Sequence, residues 1–490
     1  MSGVTKIIQN TGLYTLSTFL LRASSIIFFP IFSMYLTERD YGVLSITQSI
    51  ALIIGVIAGL GINRSITRFM YYQTEKSKTN DASIIYTSLF ASFGIQAAFV
   101  LLVILFNQYI PAKLLNDIDF FPYVFFAIIA LPFNSIIEVA KTFYKSTHQG
   151  KKVFYLDIAF FSINILLNLL FIVGLGFDVV GIFYGILINT LFFSIILYFS
   201  FYRKHKIQFE KGLLYKILRY CIPLVPFTAL NILFEACDKF YLNSEHGSSI
   251  SGIYYIVIIF ASIFSSFKES ITTALTPYIY ENINNKTDSI RIIINWTLVI
   301  SGIIALSLSL FSYEILSILS SNPSFVQAHV YIPFTLISFY LILFGNMFNI
   351  KTYYFGKYTD LLFIATLIGL AIELLACYLL IPQYNLLGAS LARLIGFGVH
   401  VLVLFYLSYK ETQKREIYDY KFLFFSAIIM SALISLPYFI RLDFSFIVNV
   451  FIKLVFLLVI ILTIYMVRKN EINIFINTIM KSVFKGKIKS

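Results

Sequence analysis

Charged residues are scarce in this 490-residue chain: only 12% are Asp, Glu, Lys or Arg, whereas 59% are hydrophobic. The mean hydropathy is +0.85. These values exclude an ordinary soluble domain, in which about 25% of residues are charged. Cysteine is equally sparse, with only Cys221, Cys237 and Cys377, all in or beside apolar stretches. Three such cysteines favour apolar packing over a disulfide framework or a metal site.

Signatures of catalysis and nucleotide binding are missing from the sequence. The five histidines are isolated, without HExxH spacing, and no P-loop motif occurs. No interval between apolar stretches has room for a nucleic-acid-binding module, so the net charge of +13 does not indicate a DNA or RNA partner. We therefore expect a protein that is not an enzyme, has no cofactor, holds no metal and does not use ATP directly.

Long apolar runs are what the chain has in abundance. Each run can cross a hydrocarbon core of about 30 Å as a helix of about 20 residues. There are fourteen of them, at 11–36, 43–63, 82–107, 119–140, 153–175, 178–202, 214–236, 250–276, 292–319, 327–350, 360–382, 386–408, 421–439 and 443–467. The N-terminus, alternate gaps and the C-terminal tail hold 29 of the 37 basic residues. By the positive-inside rule, both termini are cytoplasmic. The sequence predicts an all-α polytopic membrane protein with about 14 transmembrane helices.

Short motifs recur at similar spacing in the two halves of the chain. Tyr41-Gly42 at the start of the second stretch matches Ser251-Gly252 at the start of the eighth, and Pro132-Phe133 matches Pro333-Phe334. Such parallel repeats predict two pseudo-symmetric six-helix lobes around a central cavity, plus a C-terminal helical hairpin. We expect the N-terminal lobe at 1–206, the C-terminal lobe at 207–410, and the hairpin with its basic tail at 411–490. Chance similarity between apolar segments is the alternative.

Several ordered motifs resemble one family of membrane proteins. They are FPIFSMYLTERDYG at 29–42, GLG at 59–61, IPLVP at 222–226, DKFYL at 238–242, GIY at 252–254 and LIPQYNLLGAS at 380–390. In this order and spacing they resemble polysaccharide and O-antigen flippases of the Wzx type. These belong to the multidrug/oligosaccharidyl-lipid/polysaccharide (MOP) exporter superfamily. One departure is Asn385, where the family more usually has glycine.

The resemblance implies a flippase in the bacterial inner membrane. Its substrate would be a polyprenyl-pyrophosphate-linked oligosaccharide for surface polysaccharide or lipopolysaccharide assembly. Its partners would be membrane lipids and a polysaccharide polymerase with its chain-length machinery. The alternatives are an ion-coupled drug exporter of the MATE type and a lipid II flippase, both of the same superfamily. A non-transporting membrane scaffold is a further alternative, although it would not need charges inside its spans.

Basic residues inside or at the mouths of spans are the candidate substrate ligands. A charge at a helix centre costs about 2.5–3.5 kcal/mol on insertion scales, so such residues usually serve a cavity or a partner. Arg22 lies in mid-span, and its guanidinium suits a pyrophosphate because its planar fork donates two hydrogen bonds at once. Arg64 and Arg68 lie one helical turn apart at the inner mouth of the second span, while Lys268 and Arg393 lie within later spans. Snorkelling and simple topology charges are the alternative interpretations.

Buried acids and helix-interrupting prolines complete the candidates. Asp238 and Glu373 are expected to couple transport to protons or sodium, since a buried carboxylate can alternate between neutral and charged states. An ion pair with Arg393 or with another basic residue of the cavity is the alternative for Glu373. The candidate hinges, which kink the first helix of each half, are Pro30, Pro223 and Pro226.

Overall fold

The computed structural model describes residues 27–73, 81–203, 206–283, 287–356, 358–410, 417–440 and 445–484. Every regular element within these ranges is helical. The chain divides into two compact units, Met1–Tyr255 and Ile256–Ser490. The fold is therefore all-α, as the hydropathy pattern predicts, whereas the proposed division at 206 and 410 stays a prediction.

The helices of unit 1 follow the apolar runs closely. They are α1 (Phe29–Tyr35), α2 (Glu38–Gly59), α3 (Ile62–Gln73), α4 (Asp81–Leu105), α5 (Ala112–Leu115), α6 (Phe125–Ile129), α7 (Leu131–Ser146), α8 (Gly150–Asn168), α9 (Val180–Tyr202), α10 (Lys211–Cys221) and α11 (Val225–Asn282), the last of which continues into unit 2. Short 3₁₀ or π-helical segments lie at Asn107–Tyr109, Phe120–Val124, Leu169–Gly174 and Ile222–Leu224.

Unit 2 contains the later helices, including the predicted hairpin. They are α12 (Thr287–Leu310), α13 (Ser312–Leu319), α14 (Pro323–Val326), α15 (Ile332–Phe355), α16 (Leu362–Lys410), α17 (Tyr420–Phe439) and α18 (Phe446–Phe484), with 3₁₀ turns at Gln327–Val330 and Thr359–Leu361.

Eleven segments of the described residues are long and apolar enough to cross a membrane. Two of them, Lys211–Asn282 and Leu362–Lys410, are 72 and 49 residues long, and each contains an internal bend. The first predicted stretch, 11–36, lies mostly outside the described residues. The protein is thus a multi-pass membrane protein, and the number fourteen stays a prediction.

The two bends occur where the backbone leaves helical geometry at a single residue. Gly247 has φ 81° and ψ 176°, and divides α11. Asn385 has φ 55° and ψ −124°, and divides α16. Positive φ favours glycine because it has no Cβ, and asparagine tolerates it better than most residues. At Asn385 the ψ of −124° lies outside the left-handed helical region in which asparagine is enriched, so this conformation favours the glycine that the family more usually has there.

Two glycines bring α2 and the second leg of α11 into backbone contact. A Cβ built on Gly42 would lie 1.8 Å from the carbonyl oxygen of Ser248, and one built on Gly252 would lie 1.8 Å from that of Glu38. Gly42 and Gly252 are 210 residues apart, and so are Glu38 and Ser248, so each glycine meets the equivalent carbonyl of the other helix. Reciprocity of this kind is what a local twofold axis between repeated motifs produces.

Polar contacts also stabilise the part of unit 1 around Ser248. Asp117 accepts hydrogen bonds from the backbone N–H of Ser248 at 3.0 Å and from its hydroxyl at 2.5 Å. Arg39 lies 3.5 Å from the Asp117 carboxylate. Nearby, Lys113 donates to Glu245 at 2.9 Å, and this hydrogen bond is the main cause of the raised pKa of Lys113. The segment before Phe120 therefore holds the turn that precedes the second leg of α11.

Lys351 is placed differently from what the charge pattern suggests. The sequence groups it with cytoplasmic loop charges, yet its side chain is 1% exposed. Its ammonium donates to the Ser408 carbonyl at 3.0 Å and lies 3.5 Å from the Tyr420 hydroxyl. Lys351 thus joins α15 and α16 to the start of α17, inside unit 2.

Candidate functional site

A cavity of about 600 Å³ lies within unit 1. Its wall includes the C-terminal half of α2, from Gln48 to Gly59, together with parts of α4, α7, α8, α9 and α11. The volume falls inside the range of about 300–1,000 Å³ typical of small-molecule sites. It is a cavity among helices long enough to cross the membrane.

Small residues on one face of α2 make room for this cavity. Ala51, Gly55 and Gly59 recur every four residues, which places them on the same side of the helix. A Cβ at Gly59 would come within 2.9 Å of the Gln96 amide nitrogen. At the end of α2, Leu60 and Gly61 both have positive φ, which stops the helix and starts α3. The local sequence therefore creates both the space and the turn that brings in the next side chains.

The lining is rich in neutral hydrogen-bonding groups. Five carboxamides and several hydroxyls contribute to it: Gln48, Asn63, Gln96, Asn134, Asn164, Ser92, Ser135, Thr190 and Thr228. A carboxamide both donates and accepts hydrogen bonds, whereas an ammonium only donates. Phe160 and Phe183 add apolar surface. Such a lining suits a ligand with many hydroxyl groups, such as a sugar.

Arg64 is one of two charged residues that line the cavity among the described residues. It follows the α2–α3 turn, and its guanidinium donates to the Thr228 hydroxyl at 3.1 Å. The other charged residue is Glu138, which lies 3.6 Å from Lys141. Lys141 also contacts Asp157 at 2.9 Å. Lys141 therefore pairs with both carboxylates, and Arg64, whose side chain is exposed, is the cation that lines the cavity among the described residues.

Arg68, unlike Arg64, does not line the cavity. It is one turn further along α3 and stacks its guanidinium over the Tyr220 ring, 4.2 Å from the centroid. Burial of Ile62, Ile66 and Phe69 on the opposite side of α3 fixes the helix against the core of unit 1. The one-turn spacing puts Arg64 at the cavity and Arg68 on a neighbouring aromatic ring.

Lys268 and Arg393 meet at one aromatic ring in unit 2. The Lys268 ammonium lies 5.6 Å from the centroid of Phe339, and the Arg393 guanidinium lies 6.0 Å from the same centroid. Arg393 also lies 5.6 Å from Phe397. Both cations are buried, with 7% and 1% of their surface exposed. Aromatic faces attract cations more strongly where water is excluded, which helps to compensate for desolvation.

Glu373 is fully buried on the first leg of α16, and Asp238 on α11 of unit 1. A Cβ built on Gly396 would lie 2.4 Å from the Cβ of Glu373 and 3.0 Å from its Oε2, so the second leg of α16 packs directly against this side chain. Asp238 accepts from the Tyr254 hydroxyl at 2.5 Å and from the backbone N–H of Lys239 at 2.8 Å. Neither residue joins a cluster of three or more metal-ligating side chains among the described residues.

The candidate hinge prolines lie at helix junctions. Pro30 is the second residue of α1, whose N-cap is Phe28. Pro223 lies in the 3₁₀ turn between α10 and α11, and Pro226 lies in the first turn of α11. These positions tolerate proline because the first turn of a helix has no intrahelical partner for its N–H groups. Arg22 lies outside the described residues.

Sequence reasoning missed the carboxamides of the cavity. Gln48, Gln96, Asn134 and Asn164 are uncharged, so a search for charges inside spans passes over them. The sequence signal that could have predicted them is the presence of neutral polar residues on one face of otherwise apolar helices.

The chain is similar to known proteins in sequence and in fold. The polysaccharide biosynthesis protein family model matches residues 7–283. The probable multidrug resistance protein YoeA of Bacillus subtilis (strain 168) is 29% identical over 238 residues, which cover 44% of this chain and 51% of that relative. The chain therefore spans about half the length of this curated relative.

Solved structures extend the likeness to the fold of nearly the whole chain. The lipid II flippase MurJ in an inward closed conformation has a TM-score of 0.70 at 18% identity, covering 92% of this chain and 98% of that one. An inward-facing multidrug resistance MATE family transporter of the MOP superfamily has a TM-score of 0.56 at 16% identity, covering 85% and 98%. Because the family model matches more than half of its residues, the chain belongs to the polysaccharide biosynthesis protein family, with the fold of the MOP exporter superfamily.

Proposed function

We propose that this protein is a flippase that moves a polyprenyl-pyrophosphate-linked oligosaccharide repeat unit across the bacterial inner membrane for surface polysaccharide assembly. The observation that carries the proposal is the carboxamide-lined cavity with Arg64, located among membrane-spanning helices of a polysaccharide biosynthesis family member. Sugar hydroxyls would exchange their hydrogen bonds with water for those with the carboxamides.

Arg64 and Arg22 are proposed to bind the anionic part of the substrate. Arg64 already donates to a hydroxyl at the cavity wall, and a guanidinium has further N–H groups to offer a phosphate. Lys268 and Arg393 are proposed to add positive charge in unit 2, while the lipid tail stays in the hydrocarbon. Arg68, stacked on Tyr220, is proposed to help gather the phosphate at the cytoplasmic side.

Alternating access would operate through the contact of α2 with α11. In the predicted orientation, Gly42 lies at the outer end of α2 and the cavity near its inner end. The backbone contact would block the outer end until the helices separate. Pro30, Pro223 and Pro226 are proposed to allow the accompanying changes at the helix junctions.

An ion gradient or the membrane potential would drive this movement. Asp238 and Glu373, both fully buried, are proposed as the coupling carboxylates. One elementary charge that crosses 100 mV releases about 2.3 kcal/mol, so the stoichiometry of coupling limits how far substrate can be concentrated.

The multidrug relative makes drug export the second candidate. A cationic drug needs a carboxylate that is available to it. The single carboxylate that lines the cavity among the described residues, Glu138, lies 3.6 Å from Lys141. This arrangement favours a neutral or anionic ligand. Lipid II flipping fits the same lining, and substrate measurement is needed to separate the two.

The test uses a host that lacks the gene and measures lipid-linked glycans in each leaflet together with surface polysaccharide. The host receives wild type, Arg64→Gln, Arg22→Gln, or Arg219→Gln, which removes an exposed positive charge of α10 as the control. We expect wild type and Arg219→Gln to restore the polymer, and Arg64→Gln to lower the flipping rate about tenfold, equivalent to about 1.4 kcal/mol.

Three outcomes separate the candidates. Full activity of Arg64→Gln and Arg22→Gln would remove the proposed anion ligands. Accumulation of lipid II alone in the deleted host would reassign the substrate. Unchanged glycans combined with new sensitivity to cationic dyes would replace the flippase by a drug exporter.

A further inference from the structure

A second cavity, of about 890 Å³, lies in unit 2, and none of the residues assigned to transport lines it. One wall comes from the segment that joins α12 to α15 and includes Tyr313, Gln327 and His329. The other wall comes from the hairpin of α17 and α18 and includes Pro437 and Phe456. The first wall is therefore largely polar, and the hairpin wall is apolar except for Asn449 and Lys453.

A buried ion pair joins these two walls. Lys453 of α18 donates to Glu314 Oε1 of α13 at 2.6 Å, with side-chain exposures of 15% and 5%. Both residues line the cavity. The two carboxylate oxygens differ, since no residue that the structure describes donates a hydrogen bond to the buried Oε2 atom. An unsatisfied buried acceptor is costly, so a donor in the cavity would stabilise the site.

The chemistry required of a ligand follows from this pair. Oε2 needs a hydrogen-bond donor, and a positively charged donor gives the stronger bond. Lys453 has three donors, of which one bonds to Glu314, so it can also bind an anion next to the carboxylate. A ligand that holds a primary ammonium and a phosphodiester a few atoms apart satisfies both groups.

The hairpin indicates where such a ligand comes from. Along α18, Ile447, Phe451 and Leu458 are 79%, 66% and 57% exposed, as expected for a helix that faces lipid. The apolar wall of the cavity belongs to this same hairpin. Acyl chains can therefore stay in the hydrocarbon while the headgroup occupies the polar side.

We infer that this cavity is a binding site for the zwitterionic headgroup of an aminophospholipid, with the ammonium at Glu314 Oε2 and the phosphodiester at Lys453. In the predicted orientation, the site lies at the outer leaflet. The bound lipid would link α18 to the α12–α15 segment. The inference does not depend on the transported substrate, so it stands or falls separately from the flippase assignment.

The experiment measures lipid binding to the full chain by native mass spectrometry. The delipidated protein is titrated with phosphatidylethanolamine, phosphatidylcholine or phosphatidylglycerol of identical acyl chains. We expect phosphatidylethanolamine to bind at least tenfold more tightly than phosphatidylglycerol, which lacks the ammonium. It should also bind more tightly than phosphatidylcholine, whose ammonium has no N–H groups. Equal binding of the three lipids, or no retained lipid, would overturn the inference.

Two variants locate the site. Glu314→Gln keeps the shape of the side chain but removes its charge, and should weaken phosphatidylethanolamine binding at least tenfold. The control, Asp288→Asn, neutralises a carboxylate that is 89% exposed and pairs with Arg291 at 3.7 Å, and should leave binding unchanged. Unchanged binding in Glu314→Gln would refute the location. Because the headgroup comparison uses the unmodified protein, it decides the inference even where Glu314→Gln impairs folding.

Discussion

Substitution of Gly42 by alanine should loosen the contact between α2 and α11. The new methyl group would lie 1.8 Å from the Ser248 carbonyl oxygen, and it meets backbone atoms rather than a flexible side chain. The helices must separate by about 1 Å or more to accept it, and such overpacking typically costs about 1–3 kcal/mol. Gly252→Ala should act in the same way, because the contact is reciprocal.

This free-energy cost destabilises only the conformation in which α2 and α11 touch. A penalty of about 1–3 kcal/mol changes the ratio of two conformations about 5- to 150-fold. If the contact closes the outer end of the cavity, Gly42→Ala should increase the population that is open to the outside. It should also slow transport, since the return to the closed conformation becomes unfavourable.

Thiol labelling measures this shift. Ala51 lines the cavity on α2, so Ala51→Cys reports access to it, and the native cysteines are buried. An impermeant maleimide added outside intact cells should label Ala51→Cys at least fivefold faster when Gly42→Ala is also present. The control is Gly94→Ala on α4, where the added methyl group has no neighbour within 4 Å. Equal labelling rates and equal transport in the two backgrounds would refute the closure.

Two further substitutions test the charged contacts of unit 2 by thermal unfolding in detergent. Phe339→Leu removes the ring that both buried cations contact and should lower the free energy of unfolding by about 1–3 kcal/mol, whereas Phe355→Leu, at a ring that is 42% exposed, should change it little. Lys351→Met leaves the Ser408 carbonyl without this donor and should cost about 1–3 kcal/mol; an unchanged melting temperature would show that Lys351 does not anchor α17.

The sequence predicts the helices of this protein well because membrane spans are set by local composition. A run of about 20 apolar residues must satisfy its backbone groups internally, so it becomes a helix whatever its neighbours are. The predicted stretches 82–107 and 178–202 correspond to Asp81–Leu105 and Val180–Tyr202. The stretches on either side of Gly247 and Asn385 are likewise separated by bends.

The sequence predicts the glycine repeat but not the contact between its two copies. The matching motifs at Gly42 and Gly252 suggest a repeat, but they do not show that the two copies touch each other. That contact depends on how two helices cross, and the crossing depends on packing of side chains far apart in the chain. The structure adds the reason why these glycines recur: each leaves room for a carbonyl oxygen of the other helix.

Two lysines have partners that the local sequence does not predict. Lys351 directly follows an apolar stretch and Lys453 lies within one, and snorkelling to the interface is the ordinary expectation for both. Their surroundings come instead from residues 57 and 139 positions away: the Ser408 carbonyl for Lys351, and the Glu314 carboxylate for Lys453. A carbonyl oxygen accepts a hydrogen bond but carries no formal charge, whereas a carboxylate neutralises the lysine charge and has a second oxygen for a ligand. The same residue type thus fixes α17 in one place and forms a candidate lipid site in the other, because the chemistry of a buried charge is decided by its partner.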